Sequence, residues 1–220
     1  MNKILLVPGL HNSGPDHWQS RWHQYFPHWQ RMVGLPWDRP DLTVWSAKLA
    51  SKLRSRRGRA HLVAHSFGAL AAITAARQQP DKVASLFIVA PADPARFGLP
   101  DELLAGSLKV SAQLVASRND PWMSFERAEY WSRQWQVPLF DAGEVGHINA
   151  QSGHGEWNQG LNLLGTLYRR AEMVVEPTAS VGSVRRIGER IVWSGPLASG
   201  ASVTRTSVFI DWRDGVAGAR

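Results

Sequence analysis

The sequence predicts an α/β fold, a mostly parallel sheet of about six strands with helices on both faces, followed by a C-terminal extension. Three observations carry this. Short apolar runs rich in β-branched residues alternate with amphipathic stretches from residue 4 to about residue 170. At residues 61–73 an apolar run passes through a tight turn directly into an Ala-rich segment, a strand-turn-helix unit. From about Ala171 the alternation stops, His and Lys disappear, and small residues accumulate.

The strands read in order as Ile4 to Val7, Arg31 to Val33, His61 to Ala64, Val83 to Val89, Ala112 to Ala116 and Pro138 to Phe140. Each is a short run of the kind that is buried on both faces of a parallel sheet. The helices between them are expected at His17 to Tyr25, Leu42 to Arg56, Phe67 to Gln78, Pro121 to Trp135 and Glu156 to Arg170. Asp41 is a natural N-cap for the second, and Pro40 before it discourages an earlier start. Trp18 with Trp22, and Trp131 with Trp135, lie four residues apart on expected helices and are read as core packing. Residues 1–170 form one domain in this reading, and 171–220 are expected to be an extension with weak or induced structure. Within the extension, Arg190 to Trp193 and Ser207 to Trp212 are expected to pair as a small hairpin.

Composition excludes several classes. With 44% hydrophobic and 20% charged residues the balance is that of an ordinary globular protein. The opening apolar run ends at Pro8-Gly9, too short for an export signal, and no stretch approaches a bilayer span, so no membrane association and a cytoplasmic location are expected. Cysteine is absent, which rules out disulfides and thiolate chemistry. The net charge is +7, but its densest run, Lys48 to Arg59, falls on and just beyond the end of an expected helix. Cations are favoured there by the helix dipole, so no nucleic-acid partner is inferred. His11, His17, His23 and His28 are spaced by six, six and five residues, which places no pair one helical turn apart. No metal site and no cofactor are expected; His11 and His17 are assigned instead to the mouth of a substrate pocket.

The chemistry centres on His65-Ser66-Phe67-Gly68, where His61 to Ala64 turns sharply into the third helix. A nucleophile elbow needs small residues two before and two after the serine, so that strand and helix can approach. Gly68 meets this, and Ala64 stands where Gly is more usual. A serine hydroxyl is too weak an acid to attack unaided, so an imidazole must take its proton and a carboxylate must set that imidazole's tautomer. Asp120, in the turn after the Ala112 to Ala116 strand, and His147, in the loop after the last strand, follow Ser66 in the order Ser, acid, His that this context requires. Asp93 is the alternative acid and His154 the alternative base. Asp120 is also suited to capping a helix that begins at Pro121. An oxyanion would need the backbone N–H groups of Phe67 and of Leu10, with Gly9 letting the chain turn so that Leu10 points inward. Residues 91–106, with Phe97, Leu99, Leu103 and Leu104, are the one candidate cap; so short a cover suggests an open site, small acyl groups and Phe97 as a substrate contact.

With these pieces placed, the chain resembles the small α/β-hydrolases named after a retinoblastoma-binding protein, which include bacterial YdeN-like esterases. Four segments carry the resemblance: Val7-Pro8-Gly9 with Ser13 to Gln19 and Trp22; Trp37 to Pro40 with Trp45; Leu62 to Gly68; and Ser117 to Pro121 with Gly146 to Asn149. The resemblance implies an α/β-hydrolase domain in which Ser66, Asp120 and His147 form the triad, as the residues themselves suggest. It does not extend beyond residue 170. The resulting expectation is a serine hydrolase that cleaves a small carboxylic ester, or an amide or thioester, through an acyl-enzyme, with no obligate protein partner. Two rivals are an acyltransferase with the same triad and a protein-interaction module that retains only the fold.

Overall fold

A computed structural model describes residues 3–173 and, beyond them, the strand segments 183–187, 190–194, 208–210 and 217–219. The chain divides into two compact units, residues 1–172 and 173–220.

The first unit carries six strands: β1 (Lys3–Val7), β2 (Gln30–Arg31), β3 (Ala60–His65), β4 (Val83–Val89), β5 (Ser111–Ala116) and β6 (Leu139–Asp141). They form one wholly parallel sheet in the order β2-β1-β3-β4-β5-β6. Five helices accompany them, four between strands and the last after β6: α1 (Trp18–Tyr25), α2 (Leu42–Arg54), α3 (Phe67–Gln78), α4 (Phe125–Trp135) and α5 (Asn158–Met173). Alternation along the strands divides the core. Leu5, Val7, Leu62, Ala64, Leu86 and Ile88 share one cluster with Trp45 and Leu49 of α2, Phe67 and Leu70 of α3, and Trp131 and Trp135 of α4. Phe87, pointing the other way, stacks on Trp157 just before α5, and Trp157 in turn meets Trp18 and Trp22 of α1. Chain order reverses between β1 and β3, and in an open parallel sheet that reversal leaves a crevice beyond the C-terminal strand ends.

Several expected boundaries move. The second strand is Gln30–Arg31 rather than Arg31 to Val33: Val33 is 77% exposed, and Gly34 at φ +70 turns the chain away from the sheet. The fourth helix starts at Phe125, where Ser124 caps it by accepting from the Arg127 N–H, so Asp120 caps no helix. In the C-terminal unit the expected hairpin is replaced by two others. The segment Arg190–Ser194 pairs antiparallel with Ser183–Ile187, and Val208–Ile210 with Ala217–Ala219. Gly188 and Glu189 alone separate the first pair in sequence, and so short a connection is the favoured way to join antiparallel strands.

Four of the buried tryptophans also tie loops to the frame. Trp18, Trp22, Trp45 and Trp135 are fully buried, and their indole N–H groups donate to the carbonyls of Ile148, Glu156, Arg39 and Leu104. A buried indole N–H left unpaired would be costly, so each tryptophan fixes one loop at a defined point. Two members of the basic run tie into the frame: Arg59 donates to the Val83 carbonyl, and Arg56 to Gln30 and to the Lys3 carbonyl. No helix among the described residues is long and apolar enough to cross a membrane.

Candidate active site

Ser66 joins β3 to α3 with φ 55 and ψ −130, a conformation open to few non-glycine residues. Such a residue stores about 1–3 kcal/mol of strain, which persists only because the surroundings determine it. They do so through two glycines. A Cβ on Gly68 would lie 2.1 Å from the Pro8 carbonyl oxygen, and one on Gly9 would lie 2.8 Å from Ser66 Cβ. The end of β1 and the start of α3 therefore touch through bare backbone, while Ala64 fits fully buried at the other flank. Gly9 is needed for this close approach; its φ is not in the left-handed region, so the reason expected from the sequence, a special turn, is replaced by a spatial one. The left-handed residues come two and three places further on, His11 (φ 60) and Asn12 (φ 62).

From this turn a chain of polar atoms runs inward. Ser66 Oγ lies 2.9 Å from His147 Nε2, and His147 Nδ1 lies 2.9 Å from both carboxylate oxygens of Asp120. Since a carboxylate only accepts, Nδ1 carries the proton and Nε2 receives the serine hydroxyl. The side chains of His147 and Asp120 are 9% and 3% exposed, so bulk water competes little for these bonds. Asp120 Oδ1 also accepts the Trp122 N–H at 2.8 Å, which fixes the carboxylate in the turn after β5. The side chain of Ser66 makes no cap bond to α3, leaving its hydroxyl to His147.

The alternatives lie elsewhere. Both oxygens of Asp93 are gripped by Arg127, at 3.0 Å each, and the same guanidinium holds Asp101 through two bonds of 2.7 and 2.8 Å. This double fork ties residues 93–101 to α4 and holds the Asp101 carboxyl below the usual carboxylate range. His154 Nδ1 faces Ser152 Oγ, and burial pushes its pKa down.

Of the expected pocket residues, Phe97 ends a 3-10 turn (Pro94–Phe97), its ring edge-on to Phe67 and parallel to Trp122. Trp122, 39% exposed, has its ring 6.0 Å from that of His147. The sequence reading missed it, although its place two residues after Asp120 was a usable signal. His11 is exposed and faces Asp38 at 3.4 Å. His17 departs from the expected pocket mouth: it is 6% exposed and caps α1, its Nδ1 accepting the Gln19 N–H at 3.2 Å. The apolar stripe of α1 draws the cap inward with it. Leu10 follows Gly9 half-buried, and Phe67 occupies the first position of α3, where a backbone N–H has no partner within the helix. Among the described residues no group of three His, Asp or Glu is placed to hold a metal ion.

Burial, reinforced by Arg31, His147 and His154, lowers the pKa of His17 from 6.5 to about 3. The unfolded chain therefore takes up this proton first as pH falls, so the stabilising difference is complete above pH 6.5 and shrinks toward pH 3. At pH 5 the loss is about 2 kcal/mol from this group. Urea midpoints are expected to fall between pH 7 and pH 5, and to fall less in His17→Phe; equal slopes in the two proteins would refute this.

Comparison with known proteins gives the family. The sequence profile described as serine hydrolase matches residues 4–166. A solved structure from Pectobacterium atrosepticum, described as a YdeN-like hydrolase, is 41% identical with a TM-score of 0.73, covering 80% of this chain and 94% of that one. The ydeN gene product of B. subtilis is 18% identical with a TM-score of 0.62, covering 77% and 100%. An alpha-beta serine hydrolase homologue from Coxiella burnetii is 20% identical with a TM-score of 0.54, covering 77% and 84%. The last two are likenesses of fold. No curated protein sequence matches the chain. On the profile match and the close structural relative, the chain belongs to the serine hydrolase family, a YdeN-like hydrolase on the α/β-hydrolase fold.

Proposed function

We propose that the protein hydrolyses small carboxylic esters through an acyl-enzyme on Ser66. The unbroken series Ser66 Oγ, His147 Nε2, His147 Nδ1 and Asp120, with 2.9 Å at each step, carries this reading. Ser66 Oγ attacks the ester carbonyl carbon as His147 Nε2 takes its proton. The negative oxygen that forms is held by the N–H groups of Leu10 and Phe67, at the start of a helix whose dipole favours negative charge. The bond to the leaving alcohol breaks as His147 returns the proton to it. Water then attacks the acyl-enzyme with His147 again as base, and Ser66 leaves with its proton restored. Asp120 keeps the imidazole in the productive tautomer and faces the imidazolium while it exists.

The neighbouring surface suits compact substrates with a flat portion. Trp122 and Phe97 offer exposed and half-buried aromatic faces beside His147 and Phe67. Rapid mixing with p-nitrophenyl acetate tests the mechanism. A burst of p-nitrophenol approaching one equivalent, with an acetyl group recovered on the peptide containing Ser66, is expected. Turnover with no acyl adduct on that peptide under acid quench would reject it.

A further inference from the structure

The base is presented by a loop that is itself held from behind. Gly146 (φ 63) and Ile148 (φ 46) flank His147 in left-handed conformations, so the loop depends on external bonds to keep its course. Three such bonds converge on it. Asn119 Oδ1 accepts the Gly146 N–H at 2.7 Å, Trp18 Nε1 donates to the Ile148 carbonyl at 2.9 Å, and His65 Nε2 donates to the carbonyl of His147 itself at 3.0 Å. The third comes from the residue immediately before Ser66. His65 is 4% exposed, with the His147 ring 4.8 Å away and the His17 ring, edge-on, 4.7 Å away. Three imidazoles are therefore neighbours, and the proposed reaction uses only His147.

We propose that His65 is a positioning residue for His147, its Nε2–H fixing the His147 main chain and thereby the separation of Nε2 from the Ser66 hydroxyl. This rests on the reading of Ser66 and His147 as the reacting pair. The adjacency of His65 and Ser66 gives the bond its use: one strand end places the serine and, through the preceding side chain, the loop that carries its base. Any shift of the strand then moves both partners together. His65 and His17 also stay uncharged. Burial first, then His17, His147 and His154, hold His65 well below the ordinary imidazole range, while burial, then Arg31, does the same for His17. Neither ring carries charge when His147 must accept a proton, so neither opposes it. Neutral His65 with its proton on Nε2 leaves Nδ1 bare, and His17, whose Nδ1 accepts from Gln19, has its proton on Nε2.

The test compares His65→Met, which keeps the bulk and loses the donor, with His65→Gln, whose amide N–H reaches the same point. Losing the bond frees the loop, and a displacement of order 1 Å costs up to ~10²-fold in rate. On p-nitrophenyl acetate His65→Met is expected to lose about 10- to 100-fold in kcat with KM little changed, and His65→Gln to recover most of it. Equal kcat values in the two variants, whether high or low, would overturn the proposal. Should His65→Met fail to fold, nitrogen-15 imidazole spectra of the native protein decide. His65 must remain neutral with its proton on Nε2 between pH 5 and 9; a proton on Nδ1, or titration in that range, overturns the proposal. Activity retained in Ser66→Ala would instead remove the catalytic reading, which the tautomer measurement does not touch.

Discussion

Ser66→Ala is expected to lower kcat/KM for p-nitrophenyl acetate by about 10⁴- to 10⁶-fold and to abolish labelling by a fluorophosphonate probe. The size follows from what the hydroxyl does. As the proposed nucleophile it forms the bond to carbon, and the backbone donors at Leu10 and Phe67 can only stabilise charge that something else creates. Residual activity should then be that of water attacking a bound ester. The substitution is also a clean one. Oγ bonds to His147 and does not cap α3, and Ala tolerates the φ of 55 no better and no worse than Ser. A melting temperature close to that of the native protein should therefore accompany the loss. Labelling of the alanine variant at the native rate would show that the reactive serine is another one.

Asp120→Asn is expected to reduce kcat by up to ~10⁴-fold with a small effect on KM. The side chain keeps its shape, and its oxygen can still accept the Trp122 N–H. What changes is the second atom facing Nδ1 at 2.9 Å, which turns from an acceptor into a donor. An imidazole facing a donor favours the tautomer with its proton on Nε2, and that tautomer cannot receive the Ser66 proton. Asp93→Asn separates the two carboxylates. Both oxygens of Asp93 are engaged by Arg127, so its loss should loosen the 93–101 segment and lower the melting temperature while leaving the pH dependence of kcat in place. A normal rate in Asp120→Asn together with a collapse in Asp93→Asn would reverse the roles.

The fold was legible because a parallel sheet writes itself as short apolar runs, and β1, β3, β4 and β5 declared themselves that way. Edges are harder. β2 has two residues, and whether Val33 faced the sheet depended on Gly34, whose turn is a tertiary matter. The start of α4 was misplaced because Pro121 permits a helix start as well as a turn, and the choice fell to Asp120 binding the Trp122 N–H. At the proposed site, Ser66, Asp120 and His147 could be picked out because acyl transfer demands those residue types and the strand-turn-helix context sets their order. His17 could not be placed, since a histidine that caps a helix inward and one that lines a pocket look alike in sequence. Trp122 and His65 escaped for a related reason: the role proposed for each comes from where it stands beside His147, and no periodicity records that.

The bare contact of Gly9 and Gly68 with their neighbours bears on how such an enzyme can be altered. Neither position accepts even a methyl group, because a Cβ there would meet the Pro8 carbonyl or Ser66 itself. Variation in what the site admits is thereby steered away from the floor of the crevice. It is left to the 93–104 segment and Trp122, which rest on the frame through a double-forked arginine and a handful of aromatic faces. A library aimed at new substrates is expected to gain by fixing the glycines and Arg127 and randomising Phe97, Leu99 and Trp122, whose side chains lie outside the hydrogen-bonded series of Ser66, His147 and Asp120.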